Sequence, residues 1–106
     1  MEKVRPVTVA YAPRALKDLV EIQSWLSERS PNAAAAVMAA VRSTADLIGE
    51  YRQIGRATDI EGVKVLPVVR YPYLVYYTVE ADEVVIIHVR HGARALPEQG
   101  GLQVCW

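Results

Sequence analysis

Basic side chains occur near the ends of two predicted strands in the C-terminal half of this 106-residue chain. Arg70 precedes a strand that begins at Tyr73, and the last strand ends with Arg90 and His91, shortly before Arg94. Because a hairpin returns its second strand to the end where the first began, these side chains are expected to lie together. Guanidinium and imidazole groups bind phosphate or carboxylate, so the sequence predicts a basic cluster for target contact.

Two further cations, Lys64 and Arg56, are outer members of this basic cluster if the loop before the hairpin folds toward it. The alternative is a set of solvated strand-end arginines paired with Asp59, Glu61 or Glu98, which is what such charges most often are. The residue pattern leaves both interpretations open.

The two histidines and the single cysteine do not have the spacing of metal ligands. His88 alternates with apolar neighbours, which is typical of a hydrogen-bonded strand residue, whereas His91 is the better functional candidate. Cys105 has no partner within the chain for a disulfide or a zinc site with several cysteines. Glycine-rich phosphate loops and nucleophile elbows are also absent from the sequence. We predict no metal and no cofactor.

Length and charge restrict the class of protein. A chain of 106 residues, 52% of them apolar, is expected to form one domain over residues 1–95 with a tail at 96–106. The formal net charge is zero, so no global field would draw this chain onto DNA or an anionic membrane. The N-terminus lacks a signal-peptide pattern and no segment is long enough to span a bilayer, so we expect a cytoplasmic protein.

The first half of the chain predicts a strand followed by two helices. The segment Val4–Ala10 is rich in β-branched residues, and Pro13 suits the first turn of a helix that extends to about Arg29. Ser30 is a predicted N-cap for a second helix, which Gly49 would close in the left-handed conformation. The apolar stripe of the first helix consists of Leu16, Leu19, Ile22 and Leu26, with charges such as Asp18 on the remaining faces. That of the second helix consists of Val37, Val41, Ala45 and Ile48.

The second half predicts strands after a connecting loop at residues 51–61. A strand follows Gly62 and carries Pro67, which belongs at an edge or a bulge because it cannot donate to a ladder. Segments 73–80 and 84–90 then form a β-hairpin with an acidic turn. The expected fold is α+β, in the order β-α-α-β-β-β, with a helical hairpin on one face of a small, largely antiparallel four-stranded sheet.

Both faces of the predicted sheet begin apolar. Alternation along the last strand places Val85, Ile87 and Val89 on one face. The other face would carry Val84, Ile86, His88 and Arg90. Because one helical hairpin covers one face, an exposed apolar surface favours a protein partner. The alternative is that the tail covers it through Leu96, Leu102, Val104 and Trp106.

The order of elements and four local motifs resemble the RelE/ParE toxin superfamily over nearly the whole chain, most closely its ParE, plasmid-stabilisation branch. The motifs are Pro13–Leu19, Gly55–Arg56, Tyr71–Tyr77 and His91–Arg94. The resemblance implies the toxin of a type II toxin–antitoxin system, neutralised by a ParD-like antitoxin that wraps the helices and the sheet. The implied antitoxin contacts are Leu16, Leu19, Leu74, Tyr76 and Ile86. The implied target contacts are Arg70, Tyr73, Arg90, His91 and Arg94.

Two activities occur among toxins that this chain resembles: ParE-type toxins act on DNA gyrase, and RelE-type toxins cut messenger RNA on the ribosome. A ribonuclease would draw its acid, base and phosphate-stabilising groups from His91, Arg94, Arg70 and Lys64. The segment after Arg94 contains no tyrosine, however, and Pro67 occupies a strand position that is polar in the nucleases. These departures favour a gyrase inhibitor over an enzyme. A ribonuclease and a non-toxic interaction module remain the alternatives.

Overall fold

The computed structural model describes residues 8–92, which form two helices packed on a five-stranded sheet. In chain order the elements are β1 (Thr8–Tyr11), α1 (Pro13–Arg29), α2 (Pro31–Glu50), β2 (Arg56–Ala57), β3 (Val63–Pro67), β4 (Tyr73–Val79) and β5 (Glu83–His91). The strands lie in the order β1-β5-β4-β3-β2, in which β1 runs parallel to β5 and the remaining pairs are antiparallel. The predicted α+β class is confirmed. The fifth strand, β2, is a two-residue pairing within the segment that was predicted to be a loop.

The helices begin as the sequence predicts, but α2 ends later. Ser30 accepts a hydrogen bond from the N–H of Ala33 at 3.1 Å, as an N-cap should. Gly49 is a buried residue inside α2 and does not close it, because the helical bond from Tyr51 N–H to Leu47 O continues past it. The described glycine with a positive φ is Gly62, in the turn before β3.

The face of α1 that packs on the sheet differs from the predicted stripe. Ala15 is fully buried and Asp18 is 8% exposed, whereas Leu16 is 52% exposed. Leu19 and Ile22 are partly buried against the core. The prediction was wrong for Leu16 and for Asp18, because the small Ala15 lets the helix approach the sheet along a line rotated from the large apolar residues.

The core lies between the helical hairpin and one face of the sheet. Its helix residues are Ala15, Val37, Val41, Ala45 and Ile48, and its residues from β4 and β5 are Tyr73, Val75, Tyr77, Val84, Ile86 and Val89. The stripe predicted for α2 is thus confirmed as the buried face of that helix.

A bulge in β5 changes the direction of its side chains. Tyr77 pairs with Ile86 while Tyr76 pairs with His88, so Ile87 is an extra residue in this strand. Val89 consequently joins Ile86 in the core. The predicted grouping of Val89 with Ile87 was wrong, because alternation is interrupted where a bulge inserts one residue.

The hydroxyl of Tyr77 anchors the loop that follows α2. It accepts a hydrogen bond from Gly55 N–H at 2.8 Å and donates to the carbonyl oxygen of Arg52 at 3.0 Å. Burial raises the pKa of Tyr77 above its ordinary value, against a smaller lowering effect of the Gly55 bond. A Cβ at position 55 would lie 2.7 Å from this hydroxyl. The loop therefore approaches the ring too closely for a side chain.

Candidate functional site

The outer edge of β5 is covered first by β1 and then by α1. Pairing with β1 ends at Tyr11 and Ile86, and the N–H of Ala12 donates to the Ile86 carbonyl at 2.8 Å. The chain then enters α1 at Pro13, and this helix runs beside the remainder of β5. The C-terminal half of β5 is therefore held by a helix where its N-terminal half is held by a strand.

Asp18 of α1 makes the polar contacts across this junction. Its Oδ2 accepts a hydrogen bond from the N–H of Val89 at 3.0 Å and lies 2.6 Å from His88 Nδ1. Its Oδ1 accepts from Arg14 Nε at 3.0 Å, one helical turn earlier. Asp18 is 8% exposed, and three partners satisfy its carboxyl group although two of them belong to a strand 70 residues away in the sequence. Such satisfaction is what a buried polar group requires.

Burial sets the protonation of His88. The side chain is 3% exposed, and this burial lowers its pKa below the ordinary value of 6.5, because a buried ring disfavours the charged form. The hydrogen bond and charge of Asp18 raise the pKa by less, and the charges of Arg14 and Arg90 lower it further. The ring is therefore neutral near pH 7, with a proton on Nδ1 if it donates to Asp18.

A cleft of about 570 Å³ lies between α1 and the C-terminal half of β5, with the first residue of β4 at its wall. Aromatic, acidic and basic groups share its walls. The lining residues are Arg14, Asp18, Glu21, Ile22, Trp25, Tyr73, His88, Val89, Arg90 and His91.

The two basic residues at the end of β5 are each placed against a tyrosine. Arg90 donates to the Tyr76 hydroxyl at 2.5 Å, with its guanidinium carbon 5.0 Å from the ring centroid. His91 contacts Tyr73 edge to face, with 5.2 Å between the ring centroids, an arrangement that aromatic pairs prefer. These contacts hold both basic groups beside the cleft.

The structure brings together part of the predicted basic cluster. Tyr73, Arg90 and His91 line the cleft, whereas Arg70 lies on the exposed turn before β4, with φ of 76°. Lys64 pairs with Tyr77 in the sheet, while His91 pairs with Tyr73 at the start of β4. The rise per strand residue puts these two pairs about 13 Å apart. Lys64 is therefore separate from the basic end of β5.

The structure describes one of the two remaining members of the predicted basic cluster. Arg56 is exposed on β2, at the far edge of the sheet from β5. Arg94 lies outside the described residues, as do the tail at 96–106 and residues 4–7 of the strand predicted over Val4–Ala10.

The residues expected to contact a partner range from exposed to fully buried. Leu16 is 52% exposed, while Leu19 and Leu74 are partly buried. Tyr76 is 8% exposed, and Ile86 has no exposed surface. Ile86 therefore contributes to the core and offers no contact surface, because the alternation of β5 turns it toward the helices.

Sequence reasoning missed Asp18, Arg14 and Trp25 as members of the site. Their signal was positional: Asp18 lies three residues after the small Ala15 and four before Ile22. A wheel centred on Ala15 therefore places the carboxyl group on the inner face. The prediction relied on the large apolar residues of α1 and therefore did not identify this face.

The comparisons with known proteins decide the family. The model of the ParE toxin of type II toxin–antitoxin systems matches residues 9–96. The chain belongs to the ParE toxin family. It is thus a toxin of a type II toxin–antitoxin system, within the wider ParE/RelE group.

Similar proteins include a curated relative and two solved structures. The toxin RelE2 of Caulobacter vibrioides is 33% identical over 88 residues, which cover 81% of this chain and 96% of the relative. A structure of a chromosomal ParDE system from P. aeruginosa superposes with a TM-score of 0.73 at 18% identity, covering 80% of this chain and 95% of that one. A structure of the toxin–antitoxin complex RelBE2 of Mycobacterium tuberculosis superposes with a TM-score of 0.59 at 25% identity, covering 86% of this chain and 97% of that one.

Two further findings concern the described part of the ParE-family chain. Within residues 8–92, no three His, Cys, Asp or Glu side chains are grouped so that they could hold a metal ion. Neither helix of this region is long and apolar enough to cross a membrane.

Proposed function

We propose that this toxin inhibits DNA gyrase in the bacterial cytoplasm and is neutralised by a cognate ParD-like antitoxin. The observation that supports this choice is the separation of the groups that a ribonuclease would need. Lys64 lies about 13 Å from His91 along the sheet, from the strand rise between their pairing positions. Arg70 is outside the cleft that His91 lines. An acid, a base and a phosphate-stabilising cation must lie within hydrogen-bonding reach of one reacting group.

The charge of the cleft also disfavours RNA cleavage. Asp18 and Glu21 line it beside Arg14 and Arg90, so the cations have carboxyl groups as neighbours. His88 is buried and bonded to Asp18, which keeps its ring from acting on a substrate. A phosphodiester entering this cleft would meet little net positive charge.

The proposed contact with gyrase is the end of the sheet that carries Arg90 and His91, where Tyr73, 6% exposed, supports the His91 ring. The aromatic contacts orient the basic groups in advance, which lowers the entropic cost of binding a protein surface. The proposed target contact also includes Arg70, on the exposed turn before β4, and Arg94, which lies outside the described residues. Tyrosine and arginine are among the residue types that most often dominate such interfaces.

The proposed antitoxin contact includes the outer face of α1. Leu16 and Val20 are exposed by 52% and 62%, so this helix carries apolar surface on the side away from the core. An amphipathic segment of an antitoxin would bury these side chains.

A gyrase assay with matched variants tests the target. Purified toxin is expected to inhibit supercoiling by gyrase, and His91→Ala and Arg90→Ala are expected to reduce inhibition at least about tenfold, as loss of an interface anchor does. Asp59→Ala, on an exposed loop, is the control and should inhibit like the wild type. In cells, induction should cause filamentation while transcripts stay intact.

The ribonuclease remains the second candidate because Tyr73 and His91 touch in an open cleft beside Arg90, an arrangement that could support acid–base chemistry. Rapid cleavage of messenger RNA in codon phase after induction, lost in His91→Ala, would replace the gyrase proposal with this one.

Binding to the antitoxin is tested on α1. Val20→Asp places a charge in the exposed apolar face and is expected to weaken the complex by about 2 kcal/mol. Gln53→Asp adds the same charge on an exposed loop residue and should leave affinity unchanged. Calorimetry of both variants measures the difference, and equal affinities would exclude this face of α1 from the interface.

A further inference from the structure

The carboxyl group of Asp18 occupies the edge of β5 at the place where β1 stops. The pairing of β1 with β5 ends at Ile86, and the N–H of Val89 donates instead to Asp18 Oδ2. A side-chain oxygen from a helix thus accepts the hydrogen bond that a neighbouring strand would otherwise accept. The edge is satisfied without another strand.

This contact comes directly after the bulge at Ile87. Both residues that follow the bulge, His88 and Val89, are bonded to Asp18, the first through its ring and the second through its backbone. A shift of one residue in the pairing with β4 would exchange the two faces for every residue that follows. The bulge therefore needs an anchor on its C-terminal side if one register is to be maintained.

The register decides where the basic groups lie. In the bulged strand, Arg90 reaches the hydroxyl of Tyr76 and His91 lies against Tyr73. A strand without the bulge would exchange the faces that these two basic residues occupy. Their placement beside the cleft thus depends on a contact made by a different element of the fold.

We infer that Asp18 is a positioning residue for the target contact: by holding β5 in the register after the bulge, it determines which faces Arg90 and His91 occupy. The functional half of this inference rests on the proposed function, in which Arg90 and His91 contact the target. Arg14 supports Asp18 by bonding the other carboxyl oxygen and so orienting the group.

Three variants of the full-length chain distinguish a positioning role of Asp18 from a general contribution to the stability of the fold. Asp18→Leu removes every acceptor while keeping the branching at Cγ, whereas Asp18→Asn keeps one carbonyl oxygen for the Val89 N–H. Val41→Ala is the matched control, because it removes core packing from α2 at a residue that is 2% exposed and leaves the β5 anchor intact. Such a truncation destabilises the fold without touching the site. Toxicity is measured as colony counts after induction, gyrase inhibition as supercoiling, and stability by urea unfolding.

Nuclear magnetic resonance on the labelled chain reports the geometry. In Asp18→Leu, exchange of the Val89 amide with solvent should be at least about tenfold faster than in the wild type. The ring nitrogens of His88 should lose the signature of an Nδ1 proton. Toxicity and gyrase inhibition should fall to the level of His91→Ala. Asp18→Asn should keep the Val89 amide protected and the chain toxic, and Val41→Ala should stay toxic.

Several results would overturn the inference. These are an Asp18→Leu chain as toxic as the wild type, or a Val41→Ala chain of equal stability that is equally inactive. If Asp18→Leu does not fold, Asp18→Asn decides: a folded variant with a protected Val89 amide but no toxicity contradicts positioning, and a toxic one supports it. A wild-type chain that does not inhibit gyrase would remove the proposed function alone. Persistence of the Tyr73–His91 and Tyr76–Arg90 contacts in Asp18→Leu would remove the positioning claim alone.

Discussion

The two halves of β5 belong to one strand but are stabilised in different ways. From Val84 to Ile86 the strand has β1 on one side and β4 on the other. From His88 to His91 it keeps β4 but has a helix on its outer side, which bonds to it through Asp18. Backbone ladders stabilise the first half, and side-chain chemistry stabilises the second.

The difference shows how a small toxin domain combines a rigid core with a changeable surface. A ladder of backbone hydrogen bonds is almost independent of side-chain identity, so we expect the first half to tolerate polar substitutions on its outer face. The second half depends on particular groups, the carboxyl of Asp18 and the hydroxyl of Tyr76 among them. It is the half beside the cleft.

The largest expected effect distinguishes two neighbouring residues of β5, of which the second is the bulge residue. Ile86 is fully buried, and Ile86→Ala should lower the free energy of unfolding by about 3 kcal/mol. Ile87 is half-buried at the bulge position, and Ile87→Ala should cost about 1 kcal/mol. Urea unfolding measures both, and equal losses would contradict the difference in burial between these two residues.

The second prediction concerns pH, because burial lowers the pKa of His88 in the folded chain. A lowered pKa favours the neutral ring on folding, so this contribution to stability is complete above the unfolded value of about 6.5 and is lost as pH falls through the folded value. The unfolding free energy should therefore fall more steeply below about pH 6.5 in the wild type than in His88→Gln. Parallel curves of unfolding free energy against pH for the two proteins would contradict this prediction.

A smaller effect is expected from removing the Tyr76 hydroxyl, which accepts a hydrogen bond from Arg90. Tyr76→Phe removes the acceptor but keeps the ring beside the guanidinium, so stability should fall by about 1 kcal/mol. If Arg90 is positioned by this hydroxyl, gyrase inhibition should weaken as well. Thermal unfolding and the supercoiling assay measure the two effects, with Tyr51→Phe, an exposed tyrosine after α2, as the control.

The smallest effect is expected at the acidic turn before the first half of β5. Asp82 is exposed, and solvent screens its charge. Asp82→Asn should therefore change stability by no more than roughly 0.5 kcal/mol and leave toxicity unchanged. A loss of toxicity in this variant would place part of the target contact at the opposite end of the hairpin.

Apolar periodicity is enough to predict most of the elements. It predicts both helices, the β-hairpin of β4 and β5 and the buried stripe of α2, since each depends on residues close in the sequence. It does not predict the pairing of β1 with β5, which joins two segments from opposite ends of the domain. Local patterns contain no information on such a distant partner.

The candidate site was predicted less completely than the fold. His91 and Arg90 are recognisable as a basic strand end, but Asp18 resembles any charged residue on the outside of a helix. A buried carboxyl is stable only with its donors, and here two of the three come from β5. The bulge that directs those donors has no signature in the residues around Ile87.

The bonds of the Tyr77 hydroxyl to Gly55 and Arg52 have a consequence for how such chains diverge. Because a side chain at position 55 would collide with the hydroxyl, the two positions should change together across related toxins. A smaller residue in place of Tyr77 would make room for alanine at position 55, whereas either change alone would leave a clash or an unbonded loop. Positions 55 and 77 are expected to covary, linking the loop after α2 to the centre of the sheet.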